Sequence, residues 1–192
     1  MISSLQELLH EQNQSEGRSQ IRPLISPNLT PTEVTEFIQA ISQMKLPARL
    51  SDIDRRFARH TPNIQSIILA SEELGLIELS EICMYRYLDL TDLGRGFLIA
   101  SDARAGILRA RLVRIEPFRT ACSLLSTKKR ISVKDLIRAL PRGYSDLGAD
   151  DLEETSLGLV LINWGVATGL FRYNGKTGKF ETKNEDRDSC SG

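Results

Sequence analysis

One punctuation pattern occurs twice in this chain and constrains its fold more than any other feature. An apolar helical run ends in Gly-Leu-apolar, and a short two-stranded segment follows. The first copy runs from Ile67-Ile68-Leu69-Ala70 through Leu74-Gly75-Leu76-Ile77 to the alternating Tyr85-Arg86-Tyr87-Leu88-Asp89-Leu90. The second runs from Val160-Leu161-Ile162-Asn163-Trp164 through Thr168-Gly169-Leu170-Phe171 to Tyr173-Asn174-Gly175-Lys176-Thr177-Gly178-Lys179-Phe180. Glycine reaches the left-handed conformation without a Cβ clash, so Gly75 and Gly169 stand where a helix must stop. A helix, a glycine stop and a hairpin, met twice, predict two small copies of one plan.

The flanking segments complete the plan. Thr30-Pro31-Thr32-Glu33 is a helix start, with Thr30 as cap, Pro31 in the first turn and Glu33 complementing the dipole. Val34, Phe37, Ile38 and Ile41 then recur at helical spacing, and Pro47 stops the run. Ser51 caps a second short helix with Ile53 and Phe57. Pro62 opens a third, which ends at Gly75, and Glu78 to Leu90 reads as two strands. Three helices followed by a hairpin is the order of a winged helix. Residues 102–126 read as a long helix, with Pro117 expected to kink or split it. Ser132 caps the next helix, Pro141 ends it, and Asp150-Asp151-Leu152-Glu153-Glu154 is an acidic first turn for the helix that reaches Trp164. The turn Asn174–Gly178 is rich in residues that accept positive φ.

The expected fold class is therefore mainly α with small β-hairpins (α+β): tandem winged-helix units joined by a long basic helix. The boundaries are a flexible N-terminal arm over 1–30, a first unit over 31–101, the linking helix and second unit over 102–182, and a disordered tail over 183–192.

At 192 residues the chain fits one ordinary domain or two small ones. No apolar run is long enough to span a bilayer, and the first residues lack the basic flank and apolar core of a signal peptide. A cytoplasmic location is the expectation. Cys83, Cys122 and Cys190 are odd in number and lack metal-ligand spacing, so they are expected reduced and metal-free. Charge is uneven. Residues 1–83 hold 7 Lys/Arg against 11 Asp/Glu, residues 84–142 hold 13 against 5, and residues 143–192 hold 5 against 9. The middle third is a basic block between two acidic ones.

Residues 48–182 resemble the C-terminal accessory domain, often called the AAA-associated domain, that follows the ATPase in nitrate-, sulfonate- and taurine-type ABC importers. The resemblance lies in Glu73-Leu74-Gly75-Leu76-Ile77-Glu78, in Leu90-Thr91-Asp92-Leu93-Gly94-Arg95-Gly96-Phe97 and in the basic helix around Arg111 to Arg119. Its most specific parts are Ile162-Asn163-Trp164-Gly165, Gly169-Leu170-Phe171-Arg172-Tyr173 and Thr177-Gly178. It implies an ATPase as partner and transfers no catalytic residue. An ATPase is not expected within these 192 residues, since no G-x-x-x-x-G-K-[S/T] loop occurs in the sequence.

Catalytic constellations are missing. His10 and His60 are isolated; Asp52 and Asp54 do not share a helix face. An acidic helix start explains Asp150, Asp151, Glu153 and Glu154 without a metal. The expected protein is not an enzyme and holds no cofactor or metal. Trp164 is expected in the core, and Tyr85 and Tyr87 are expected to cover a sheet from inside. A DNA-reading winged helix needs Arg, Lys, Asn or Gln on its third helix. The first unit offers Asn63, Gln65, Glu72 and Glu73 there, and the second offers only acids. Cations gather instead at Arg104, Arg109, Arg111, Arg114, Arg119, Lys128, Lys129, Arg130, Lys134 and Arg138, the candidates for contact with a partner or with phosphates. Protein docking is the leading expectation. A DNA-binding regulator using segment 104–142 is the alternative, and a homodimer joining basic to acidic blocks is a third.

Overall fold

The computed structural model describes residues 25–57, 63–141 and 151–183, with the backbone alone for 151–153. The first unit runs α1 (Pro31–Ile41), β1 (Ala48–Arg49), α2 (Leu50–Phe57), α3 (Ile64–Glu73), β2 (Ile77–Ile82), β3 (Tyr85–Leu90) and α4 (Asp92–Ile99). After α5 (Arg104–Leu112), the second unit runs α6 (Phe118–Lys128), β4 (Arg130–Ile131), α7 (Val133–Ala139) and α8 (Asp151–Val160). A π-helical turn (Leu161–Val166), β5 (Arg172–Asn174) and β6 (Lys179–Glu181) complete it. The fold mixes helices with two antiparallel three-stranded sheets, ordered β1-β3-β2 and β4-β6-β5. The same helix–strand–helix–helix–strand–strand order thus builds the same sheet twice, with β2 and β5 at equivalent edges.

Both helix stops have one geometry. Leu76 N–H donates to Ser71 O (2.9 Å) and Gly75 N–H to Glu72 O (2.8 Å); Leu170 N–H donates to Gly165 O (2.8 Å) and Gly169 N–H to Val166 O (3.0 Å). Each is the paired closure that satisfies the last carbonyls of a helix, and it requires a left-handed residue at the turn. Gly75 (φ +71°) and Gly169 (φ +73°) supply it. Thr30 and Ser132 each close a capping box, with Glu33 and Asp135 respectively.

Three expectations are corrected. The link over 102–126 is not one long basic helix but is split, one of the two outcomes expected of Pro117: α5 ends at Leu112, and α6 begins at Phe118 as the first helix of the second unit. Pro117 has no N–H to continue the ladder, and its ring crowds the preceding turn. The Glu116 carboxylate then accepts from Thr120 N–H (3.2 Å) at the start of α6. Residues 25–30, assigned to a flexible arm, are packed instead. Ile25 and Leu29 are buried, Pro27 O accepts from Asn163 Nδ2 (2.8 Å), and Leu29 O accepts from Trp164 Nε1 (2.7 Å). The indole N–H needs an acceptor once buried, and this segment carries it across to the second unit. The rest of the arm (1–24) and all of the tail but Lys183 lie outside the described residues, as do His60 and Asp150.

Tyr85 is the third correction. It lies on the outer face of the first sheet, 53% exposed, because Leu88 and Leu90 take the inward positions of β3. Trp164 is wholly buried, as its place on the apolar face implies. The buried side chains of both units form one continuous cluster.

Candidate functional site

The ten basic candidates do not form one bare face. Arg104 Nε donates to Phe97 O (3.0 Å) and its Nη2 to Leu98 O (2.8 Å), holding the last turn of α4. Arg111 Nε donates to Leu74 O (2.8 Å) beside the Gly75 turn. These two guanidiniums are struts that satisfy helix-end carbonyls. Arg119 pairs with Glu116 (2.6 Å), Arg130 with Glu181 (3.1 Å) and Lys134 with Glu154 (3.7 Å). Arg109, Arg114, Lys128, Lys129 and Arg138 have no such carboxylate among the described residues. The backbone of Lys129 is left-handed (φ +61°), and its carbonyl accepts from Thr182 N–H (3.4 Å) at the rim of the second sheet.

The two hairpins carry what reading by thirds missed. The β2–β3 hairpin turns on Cys83 (φ +51°) and Met84 (φ +65°), with Ile82 paired to Tyr85 across it. Positive φ at two residues suits the two-residue hairpin turn, which normally uses Asn or Gly. Here it costs about 1–2 kcal/mol at each residue. The turn exposes 54% of Ile82, 91% of Met84 and 53% of Tyr85. Behind it, the Arg49 guanidinium stacks 4.4 Å over the Tyr85 ring and its Nε donates to Tyr87 Oη (3.3 Å). That hydrogen bond raises the Arg49 pKa above its already high value.

The β5–β6 hairpin is built otherwise. Asn174 Oδ1 accepts from Lys176 N–H (3.1 Å), and Gly178 adopts φ +64°. Strand pairing sets Arg130, Glu181 and Arg172 in one row and Lys179 with Asn174 in the next, while Ile131, Phe180 and Tyr173 share the inner face. Glu181 is held by Arg130 and by Asn174 Nδ2 (3.4 Å). Arg172, Lys176 and Lys179 were hidden inside an acidic third. Counting by element finds them, since residues 171–183 hold four cations against Glu181 alone.

Neither third helix is cationic where it is described: α3 exposes Gln65, Leu69 and Glu72. An open cleft of about 420 Å3 lies between the Gly75 turn and the start of α4, with Glu78, Asp92, Arg95 and Arg111 on its walls. Arg95 there salt-bridges Asp89 (3.1 Å), and Arg111 is the strut already described, so the cleft's cations are engaged within the fold. Among the described residues no group of three or more His, Cys, Asp and Glu is placed to hold a metal ion, and no helix is long and apolar enough to cross a membrane. Burial pushes the Cys122 thiol up, which disfavours the reactive thiolate; Cys83 is exposed. No family model matches this chain, and neither does any curated protein or solved structure.

Proposed function

We propose that this chain is a non-catalytic regulatory or adaptor protein of the cytoplasm, built from tandem winged-helix units, that docks on a protein partner. The partner class implied by the family resemblance is an ABC importer ATPase. Support for the winged-helix reading is the repeated element order with the first strand added beside the hairpin. The observation that carries docking is the first hairpin's tip. Ile82, Met84 and Tyr85 stand in solvent on a turn of two left-handed residues, and adjacent exposed apolar side chains mark interaction sites. Met and Tyr are also among the residues enriched in protein interfaces. The alternative, a DNA-binding regulator that uses segment 104–142, is weaker, because Arg104 and Arg111 are fixed on backbone carbonyls.

The test is calorimetric titration of the full chain against an importer ATPase from the same genome. Micromolar or tighter binding is expected, and Ile82→Ser with Met84→Ser should weaken it at least tenfold. Unchanged affinity in that variant removes the tip as the docking point. The chain should also show no saturable Mg-ATP binding at micromolar levels, because its sequence lacks a phosphate-cradling loop.

A further inference from the structure

The outer face of the second sheet holds a cation set that the docking reading does not use. Arg130 and Arg172 flank Glu181 in one row, and Lys179 stands in the next row of the same face. Lys176 occupies the hairpin tip, and Lys128 ends the helix that feeds β4. Strands lie about 4.8 Å apart and alternate residues about 7 Å apart along a strand. Arg130 and Arg172 are therefore about 10 Å apart, with Lys179 roughly 7 Å farther along the hairpin. Glu181 is the face's one carboxylate among the described residues, and Arg130 already pairs with it. Arg172, Lys176 and Lys179 have no acid within ion-pair distance among the described residues, whereas Lys128 lies in the field of Asp135.

From this placement we propose that the outer face of the second sheet, with its hairpin tip, binds the phosphodiester backbone of duplex nucleic acid without reading sequence. Composition separates this occupant from an acidic protein. Protein interfaces are depleted in lysine and centre on apolar anchors; this face has lysines and no apolar residue, since Phe180 is buried on the opposite face and Tyr173, 40% exposed, pairs with it there. Arginine, lysine, asparagine, threonine and free backbone N–H groups are what contact phosphates. The Arg172–Lys179 hairpin offers Arg172, Lys176 and Lys179 for this, while Asn174 and Thr177 bond within the hairpin. A duplex carries one negative charge per roughly 1.7 Å of its axis, so several phosphates fall within a patch of this span in any orientation. The neighbouring α8 begins with acids, and Glu154 is itself paired to Lys134. That acidic turn keeps the helix out of the groove and leaves backbone contact as the mode.

The experiment is fluorescence anisotropy of the full chain with two labelled 20-bp duplexes of unrelated sequence. Both should bind equally, and with four phosphate contacts the affinity should fall about a hundredfold between 50 and 200 mM salt. Combined Arg172→Glu, Lys176→Glu and Lys179→Glu should cut affinity at least tenfold at 50 mM salt and flatten the salt dependence. The neutral triple Arg172→Gln, Lys176→Gln and Lys179→Gln should give an intermediate loss, which guards against misfolding of the reversed variant. Arg109→Glu with Arg114→Glu should change affinity less than twofold. A larger loss there than at the hairpin overturns the proposal in favour of segment 104–142. Absence of saturable binding at 50 mM salt overturns it too. So does tighter binding of polyglutamate than of duplex at equal charge, which would assign the face to an acidic protein. Ile82→Ser with Met84→Ser should leave duplex binding intact, so failure here and failure of the docking reading are separate results.

Discussion

In the first unit the hairpin turns on Cys83 and Met84 and sets Ile82, Met84 and Tyr85 in water; in the second it turns through Asn174–Gly178 and sets out Arg172, Lys176 and Lys179. Strand order, register direction and the glycine-closed helix before the hairpin are the same in both. What is shared is set by inward residues: Leu88 and Leu90 in one unit, Phe171 and Phe180 in the other. The outward positions are free of that constraint, so one architecture carries an apolar tip and a cationic tip. The turns differ in kind as well. The second unit uses the residues its turn favours, whereas the first tolerates strain at Cys83 and Met84, a cost that folding alone does not explain.

The largest expected effect tests whether the two units are separate bodies at all. Trp164 is fully buried, and its indole N–H bonds Leu29 O just ahead of α1. Trp164→Ala should cost about 3–5 kcal/mol, which for a chain of this size lowers the melting temperature by roughly 6–20 °C. Because the core is continuous and residues 25–30 tie the second unit to the first, calorimetry should show one transition moving as a whole. Two transitions, with only one displaced, would mean that the units unfold independently.

A smaller effect compares how rigidly each unit is packed. A Cβ on Gly94 would meet the carbonyl of Leu76, and one on Gly165 would meet the ring of Phe171. Backbone cannot step aside as a ring can, so Gly94→Ala should destabilise more than Gly165→Ala, within the 1–3 kcal/mol typical of overpacking. Gly96, two residues on in α4, has open space around its Cβ position, and Gly96→Ala should stabilise by up to about 1 kcal/mol. Urea midpoints of the three variants decide it. Equal losses at Gly94 and Gly165 would show that Phe171 is as immovable as backbone.

What could be read from the sequence was local. Gly75 and Gly169, the Thr30–Glu33 box and both hairpins follow from spacing within a dozen residues. Packing of Leu29 was not legible, because its partner lies 135 residues away at Trp164. Tyr85 was misplaced because two alternating sets, aromatic and leucine, compete for one face of β3, and only the neighbouring helices decide between them. The cationic face was illegible for a different reason. Arg130 joins Arg172 and Lys179 only through the pairing of β4 with β6 and of β6 with β5, which counting charge along the chain cannot express. The exposed tip at Ile82 and Met84 gave no signal beyond two apolar residues at a turn.

The smallest effect separates the caps of the two units. Ser132 donates to the Asp135 carboxylate through its backbone N–H (2.9 Å) and its hydroxyl (2.8 Å). These bonds, helped by Lys128 and Arg138, hold the Asp135 carboxyl below the usual carboxylate range. An ordinary Asp in the unfolded chain titrates near 3.9. A group whose folded value is depressed contributes stability that is complete above that unfolded value and is lost as pH falls through the folded one. Asp135→Asn should therefore be less stable than the parent at pH 7, with the gap closing as pH drops below about 4. Urea midpoints between pH 2.5 and 7 measure this. A gap that stays constant to the lowest pH would mean that the substitution disturbs the geometry of the cap and not its charge. Lys128 lends the sharper control, since it lies in the field around Asp135 and ends the helix that leads into Arg130 on the cationic face. Lys128→Gln should narrow the Asp135 gap only slightly, because the Ser132 bonds dominate, yet it should also weaken duplex binding. A change in cap stability without a change in duplex binding would remove Lys128 from the cationic face and leave that face to the hairpin alone.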